Sequence, residues 1–310
     1  MRIITVTLNP AFDLHLSADG FLPYGESVAR VASRDAGGKG INISRALSAL
    51  GVESEAVVLV GEENGEEYLK RLENEQIRYT GIALPGRIRE NITLHTKGKP
   101  ETRISFEGFR ADKAVLAGVR DTVCGMLEPD SIVAFAGSLP RGMSNTDAAR
   151  LLLDIKSCGA RLVLDSKSLT RDELLTLSPW LIKPNEDEVA AYIGGDFRCL
   201  DDAVSGAVKL RDAGIDNVMI TLGARGAILA TDSGTYVAKP PSVKAVSTVG
   251  AGDSTVAGFV SASLKETDGA SRIAMAVATG TSACLTEGTR PPELSTVNAL
   301  LGEISVEKIN

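Results

Sequence analysis

In the stretch "STVGAGDST" (247–255), Gly250, Ala251 and Gly252 stand directly before a carboxylate, Asp253, and small hydroxyl residues and an apolar run follow. Glycines at a helix start leave backbone N–H groups open to close approach. Those orphan donors, reinforced by the helix dipole, form an anion site. A carboxylate in the same turn has its ionised form favoured, so taken alone the segment also reads as a helix N-cap. Phosphoryl transfer needs both features at once. The moving group spreads negative charge over its equatorial oxygens, which fixed donors stabilise without reorganising, and the accepting hydroxyl needs a base within hydrogen-bond reach. Gly250, Ala251 and Gly252 are the candidate anion hole, and Asp253 is the candidate base.

A second glycine turn, "AGGKGIN" (36–42), adds the ammonium of Lys39 and the amide of Asn42 to the same backbone logic. It is not a Walker loop, because Ser33 stands at the first glycine position and Gly40 where Ser or Thr belongs. Neither turn completes a dinucleotide fingerprint, since Ile43 and Thr255 occupy the last glycine positions. The chain has two histidines, His15 and His95, too few for a histidine metal cluster, so its chemistry falls to Asp, Glu, Lys and Arg.

Composition narrows the class. At 310 residues the chain can hold one large α/β domain or two small ones. A net charge of −7 argues against a nucleic-acid partner, because no basic excess is present to release counterions. The four cysteines, Cys124, Cys158, Cys199 and Cys284, are widely spaced without a CxxC pair, which suggests neither a zinc knuckle nor a disulfide framework and fits a reduced, cytoplasmic setting. No apolar run approaches the length of a membrane span.

The elements that must position these residues follow from the apolar pattern. "RIITVTL", "SEAVVLVG", "SIVAFAGS", "ARLVLDS", "WLIKPN" and "NVMITLG" read as strands, several apolar on both faces as in a sheet buried between helical layers. Between them, "NISRALSALG", "NTDAARLLLDIKSCG" and "LDDAVSGAVKLRDAG" read as helices closed by Gly51, Gly159 and Gly214. This βα alternation predicts a doubly wound, mostly parallel sheet flanked by helices, with residues 1–310 as a single domain. Two stretches, near 13–34 and 87–109, alternate at period two without a helix and predict a small antiparallel lid over the sheet's carboxyl edge.

Six motifs in order, "TLNPAFD", "GGKGIN", "GSLP" (137–140), "KPNEDE" (183–188), "TLGARG" (221–226) and "STVGAGDS", resemble those of the PfkB family of sugar kinases with the ribokinase-like fold. The matching stretches span nearly the whole chain. "GGKGINISRAL" and "AKPPSVKAVSTVGAGDS" look most like the branch acting on sugar phosphates, the 1-phosphofructokinases and tagatose-6-phosphate kinases. The resemblance implies ATP and Mg2+ as cofactors and phosphorylation of a sugar phosphate, foremost fructose 1-phosphate at its C6 hydroxyl. A tagatose-6-phosphate kinase, a 6-phosphofructokinase and a non-catalytic sugar-phosphate sensor are the competing readings.

Residue by residue, the resemblance gives Asp253 as base, with Gly250, Ala251 and Gly252 around the phosphoryl group. Asp13 would hold sugar hydroxyls, and Gly38, Lys39, Asn42 and Ser138 would line the sugar pocket. Arg89 and Asn91 match lid positions that contact the sugar phosphate. Arg103, in the second lid stretch, is a further candidate for a charge-assisted bond to that phosphate. Asn185 and Glu188 match the N-x-x-E element that organises magnesium and its waters. Lys183, Thr221, Gly223, Gly226 and Gly252 match nucleotide-contacting positions, and Ala278 to Ser282 would flank the adenine. Pairing of the lid with that of a second subunit implies a homodimer. Glu90 and Glu107 depart from the expected lid pattern, and an inward Glu90 would oppose a phosphate.

Overall fold

The structure, a computed structural model, describes residues 1–194, 199–265 and 267–309. Its first part runs β1 (Ile3–Thr7), β2 (Ala11–Ala18), β3 (Arg30–Gly37), α1 (Lys39–Ala49), β4 (Glu55–Gly61), α2 (Gly65–Asn74), β5 (Arg78–Leu84), β6 (Arg89–Thr96) and β7 (Thr102–Ile104). The middle runs α3 (Lys113–Met126), β8 (Ile132–Ala136), α4 (Asn145–Ser157), β9 (Arg161–Asp165), α5 (Arg171–Leu177), β10 (Leu181–Ile182), α6 (Glu186–Ile193) and α7 (Leu200–Asp212). The last part runs β11 (Asn217–Thr221), β12 (Ala227–Thr231), β13 (Gly234–Lys239), α8 (Ala251–Ser263), α9 (Gly269–Ala283), α10 (Leu294–Leu301) and β14 (Ser305–Ile309).

All six predicted apolar runs are strands of one sheet, in the order β14-β13-β12-β11-β10-β9-β8-β1-β4-β5. Pairing is parallel from β5 through to β11 and antiparallel among β11 to β14. Strand alternation divides five of the six apolar runs between two cores, while the buried residues of β4 all lie in one. Val133 and Phe135 of β8 pack on one face with residues of α3 and α4, whereas Ile132 and Ala134 pack on the other with residues of α1, α8 and α9. The three predicted closing glycines, Gly51, Gly159 and Gly214, have φ of 74°, 100° and 110° just past their helices, where a Cβ would be strained.

The small-residue run in α9 serves helix packing. A Cβ on Gly258 of α8 would come within 2.6 Å of the Met275 carbonyl, and one on Gly280 within 2.2 Å of the Thr255 hydroxyl. Only bare backbone lets the two helices approach this closely.

The lid is a separate sheet in the order β3-β2-β6-β7. Its outer pairs are antiparallel, but β2 and β6 run parallel. The reason lies in the main sheet. Strands β2 and β6 follow β1 and β5, which point the same way, so both enter the lid from the same edge.

The cysteine reading needs correction: Cys124 at the end of α3 and Cys158 just past α4 form a disulfide. The two helices pack against each other, and a separation of 34 residues hid that adjacency from the spacing. Among the described residues no helix is long and apolar enough to cross a membrane.

Candidate active site

Helix α8 begins where the chain leaves a left-handed turn at Gly250, φ 76°, and no side chain caps it. Ala251 N donates a long bond of 3.5 Å to the Thr248 carbonyl, while the Gly252 and Asp253 amides have no acceptor among the described residues and can meet an anion. Asp253, in that first turn, is buried, and its Oδ2 accepts a hydrogen bond of 2.8 Å from Asn42 Nδ2. The two glycine turns of the sequence thus meet at the candidate base.

A buried acid that no motif singled out organises the charges there. Asp165 closes β9 with 2% exposure, and its Oδ1 lies 3.0 Å from Lys39 Nζ and 3.5 Å from Lys183 Nζ. A Cβ on Gly252 would stand 3.2 Å from Lys183 Nζ, so this ammonium lies directly against the candidate anion hole. Burial and the neighbouring Asp165 carboxylate push the Asp253 carboxyl up to about 6, against the opposing pull of Lys39, Asn42 and Lys183. Asp165, although desolvated, is held below its ordinary value by Lys183 and Lys39. Two carboxylates in one pocket are thereby given different protonation ranges. Lys39 sits with this group rather than with the lid arginine.

The lid supplies the opposite wall. In register, Arg89 faces Ala11 and Asn91 faces Asp13, so Asp13, Arg89 and Asn91 share one face of the lid. Asn91 Nδ2 donates to Asp13 Oδ1 at 3.2 Å, and its Oδ1 is buried with no partner among the described residues. Burial raises the Asp13 carboxyl above its usual value. A Cβ on Gly37 would collide with Asp13 Oδ2, which explains the glycine at that turn. Arg89 Nη2 donates at 3.2 Å to Ser138 Oγ and to the Asn9 carbonyl. Gly38, φ 129°, caps α1 below this wall.

Alternation turns Glu90 away, and Glu107 lies beyond the lid strands. Glu90 projects from the other lid face onto Arg34, at 2.7 Å, and Glu107 is largely exposed beside Arg141. Arg103 shares the Arg89 face by its register with Thr93, but it lies on edge strand β7, half exposed, with its guanidinium held by Glu101 at 2.7 Å. The structure does not bring it to Arg89.

Beyond Gly252 opens a cleft of about 660 Å3, lined by Asn185, Thr221, Gly223, Gly226, Thr255 and Gly280 among others. That volume suits a small-molecule cofactor. Asn185 and Glu188 open α6 as a capping box, Asn185 Oδ1 accepting from the Glu188 amide at 2.9 Å and Glu188 Oε2 from the Asn185 amide at 3.0 Å. Glu188 Oε1 remains, 3.8 Å from Lys167 Nζ. No group of three His, Cys, Asp or Glu able to hold a metal occurs among the described residues.

This combination, a doubly wound sheet with a lid across its carboxyl edge, belongs to the ribokinase-like kinases, and similarity to known proteins bears that out. Residues 11–296 match the pfkB family of carbohydrate kinases. The 1-phosphofructokinase of Vibrio cholerae is 30% identical over 99% of this chain and 97% of its own. The 1-phosphofructokinase of Escherichia coli K12 is 34% identical over 84% of this chain and 83% of its own. The crystal structure of Escherichia coli phosphofructokinase-2 in complex with substrates and products superposes with a TM-score of 0.92, at 26% identity over 98% of this chain and 99% of that one. The chain belongs to the pfkB family of carbohydrate kinases, enzymes that transfer a phosphoryl group to a hydroxyl.

Sequence reasoning missed Asp165 and Asn9. Asp165 carries a signal in hindsight: an acid that ends an apolar strand, "ARLVLD", falls at the carboxyl edge where such folds bind ligands. Asn9 Nδ2 donates to Ser138 Oγ at 3.2 Å and to the Leu139 carbonyl at 3.0 Å, tying the "LNP" and "GSLP" motifs together.

Proposed function

We propose that this kinase uses MgATP to phosphorylate fructose 1-phosphate at its C6 hydroxyl, giving fructose 1,6-bisphosphate. The observation that carries the reading is the lid face: a cationic Arg89 beside the Asp13–Asn91 pair, with Glu90 on the opposite face. Arg89 also ties the lid to the Asn9 and Phe106 carbonyls, and a substrate phosphate would give its charge an anionic partner. The names of the Vibrio cholerae and Escherichia coli relatives point to the same substrate.

In this reading Asp13 and Asn91 grip sugar hydroxyls, Arg89 and Ser138 take the substrate phosphate, and Asn42 aligns Asp253 to remove the proton of the accepting hydroxyl. The amides of Gly250, Ala251 and Gly252 receive the transferred group, with Lys39 and Lys183 supplying positive charge beside it. ATP lies in the cleft of Thr221, Gly223 and Gly226, with Gly280 and Thr281 of the run 278–282 lining it and Ala278, Thr279 and Ser282 buried behind. Magnesium would be held chiefly by the nucleotide phosphates, since the ion keeps several of its waters. Asn185 and Glu188 would face those waters, and the bound ion would offset phosphate charge.

We further propose that the lid pairs with that of a second copy. Phe21, Leu22, Tyr24, Val28 and Val31 cluster in or beside the β2–β3 connection with large exposure, and β3 is an unpaired edge among the described residues. Phosphorylated substrates that do not cross membranes favour a cytoplasmic enzyme.

The test is ADP release with MgATP across fructose 1-phosphate, fructose 6-phosphate, tagatose 6-phosphate, fructose and ribose, compared by kcat/KM. Preference for fructose 1-phosphate is expected. Fructose 6-phosphate, the acceptor of a 6-phosphofructokinase, is the second reading. A preferred unphosphorylated sugar would overturn the role of Arg89, and no turnover with any would favour a sensor. Sedimentation of the protein alone and of Tyr24→Glu checks the lid pairing.

A further inference from the structure

We propose that Arg45 is a positioning residue for this reaction: it fixes the amide of Asn42 so that Nδ2, not Oδ1, faces Asp253. The inference rests on the reading of Asp253 as the base. Arg45 stands three residues after Asn42 on α1, so both side chains lie on one face of the helix. Only 7% of it is exposed, and its guanidinium is pinned from three sides. Nε donates to Glu75 Oε2 at 2.7 Å, Nη2 to the Ala36 carbonyl at 2.6 Å and Nη1 to Asn42 Oδ1 at 2.9 Å.

An amide has one donor end and one acceptor end. With Oδ1 taken by the guanidinium, Nδ2 is the atom left for the Asp253 carboxylate. The flipped amide would set N–H against a guanidinium and oxygen against a carboxylate, two repulsive contacts in place of two charge-assisted bonds. Arg45 therefore decides the orientation without touching any reacting atom. Lys39, Lys183 and Asp165 also face Asp253 and are untouched by a change at Arg45. Glu75, at the end of α2, steadies the guanidinium from the far side and extends the chain of contacts to the protein surface.

A cavity of about 400 Å3 lies against Arg45, lined also by Asp35, Ser48, Glu75, Thr289 and Arg290. It gives a small cation a route to the place that a truncated Arg45 would vacate. Chemical rescue is thus available as a test.

In the full-length enzyme, Arg45→Ala is expected to lower kcat by roughly 10- to 100-fold, the worth of one hydrogen bond to a charged group. The KM for MgATP should stay near that of the parent. Arg45 also holds the Asp13 carboxyl down, so the limb is read in kcat with sugar phosphate saturating, where it should move to higher pH because the donor that favours the ionised base is lost. Millimolar guanidinium, well below denaturing concentrations, should restore part of kcat, whereas tetramethylammonium should not. In an Asn42→Ala background the same change should cost nothing further in kcat. Equal costs in both backgrounds, or an unmoved pH limb with full kcat, would overturn the proposal. If Arg45→Ala folds poorly, Arg45→Met keeps the stem and carries the pH and double-mutant arms. A parent enzyme inactive on every sugar would fail the proposed reaction itself. The Arg45 inference is then read from carboxyl 13C NMR of Asp253, assigned against Asp253→Asn, where a titration midpoint unchanged by Arg45→Ala overturns it.

Discussion

Replacing Asp253 by Asn should leave a protein that is more stable and nearly inactive, and the two effects have one cause. The carboxyl titrates at about 6 in the folded chain against an ordinary value of 3.8, because burial and Asp165 disfavour its charge. Below pH 3.8 both folded and unfolded chains carry the proton and there is no penalty. Between 3.8 and about 6 the unfolded chain gives up its proton while the folded chain keeps it, and above about 6 the full cost of a buried carboxylate is present. A difference of about two pH units corresponds to about 3 kcal/mol. Asn, close in shape and uncharged, removes that cost and can still accept from Asn42. At pH 8 Asp253→Asn should therefore unfold in urea with about 3 kcal/mol more stability than the parent, and the gain should vanish by about pH 4. Meanwhile kcat should fall by roughly 10² to 10⁴, the usual contribution of a general base. Paired urea titrations at pH 8 and pH 4 with steady-state kinetics provide the check. A variant that is less stable at pH 8, or one that turns over at the parent rate, would refute the description of Asp253 as a desolvated base.

The same charges yield three more expectations. Asp165→Asn leaves Lys183 buried without its carboxylate, which should cost roughly 3–5 kcal/mol in urea unfolding and move the acidic limb of kcat/KM to lower pH, since the like charge raising Asp253 is gone. A stable variant with an unmoved limb would contradict the pairing. Arg89→Met should lower kcat/KM for fructose 1-phosphate by roughly 10²-fold while changing that for fructose little, so that the ratio of the two narrows. A constant ratio would remove Arg89 from the phosphate site. Glu188→Gln, which retains a capping acceptor at the start of α6, should demand more free magnesium for half-maximal rate. A magnesium titration that superposes on the parent's would place the ion elsewhere.

The parts of the fold that sequence made legible are those set by local periodicity. The strands, the three glycine-closed helices and the lid strands each depend on residues within a few positions of one another. What escaped depended on contacts across the sequence. The parallel pairing of β2 and β6 follows from the direction of β1 and β5, and the Cys124–Cys158 bond from the packing of α3 on α4. In the site, the motif around Asn42 points it at the sugar, but its amide reaches a carboxylate 211 residues away. Glu90 illustrates the converse: its harmlessness to a phosphate was readable from alternation alone once the strand β6 was known.

Asp165 gives the arrangement its logic. In the proposed reaction, a phosphoryl site needs concentrated positive charge before ATP arrives, yet two ammonium groups beside an uncapped helix start repel one another and lose hydration. A buried carboxylate between Lys39 and Lys183 resolves that conflict, and the same carboxylate, by its proximity, raises Asp253 toward neutrality. A base near 6 is ionised at neutral pH and still basic enough to accept a proton from a sugar hydroxyl as the phosphoryl bond forms. When the transferred group settles against Gly252, its oxygens compete with Asp165 for the lysines. Any loosening of the lysines from Asp165 leaves that carboxylate less neutralised, which raises the proton affinity of Asp253 at the stage when it must take the proton. In the proposed reaction a single acid at the end of β9 would thus couple the charge of the incoming phosphate to the strength of the base.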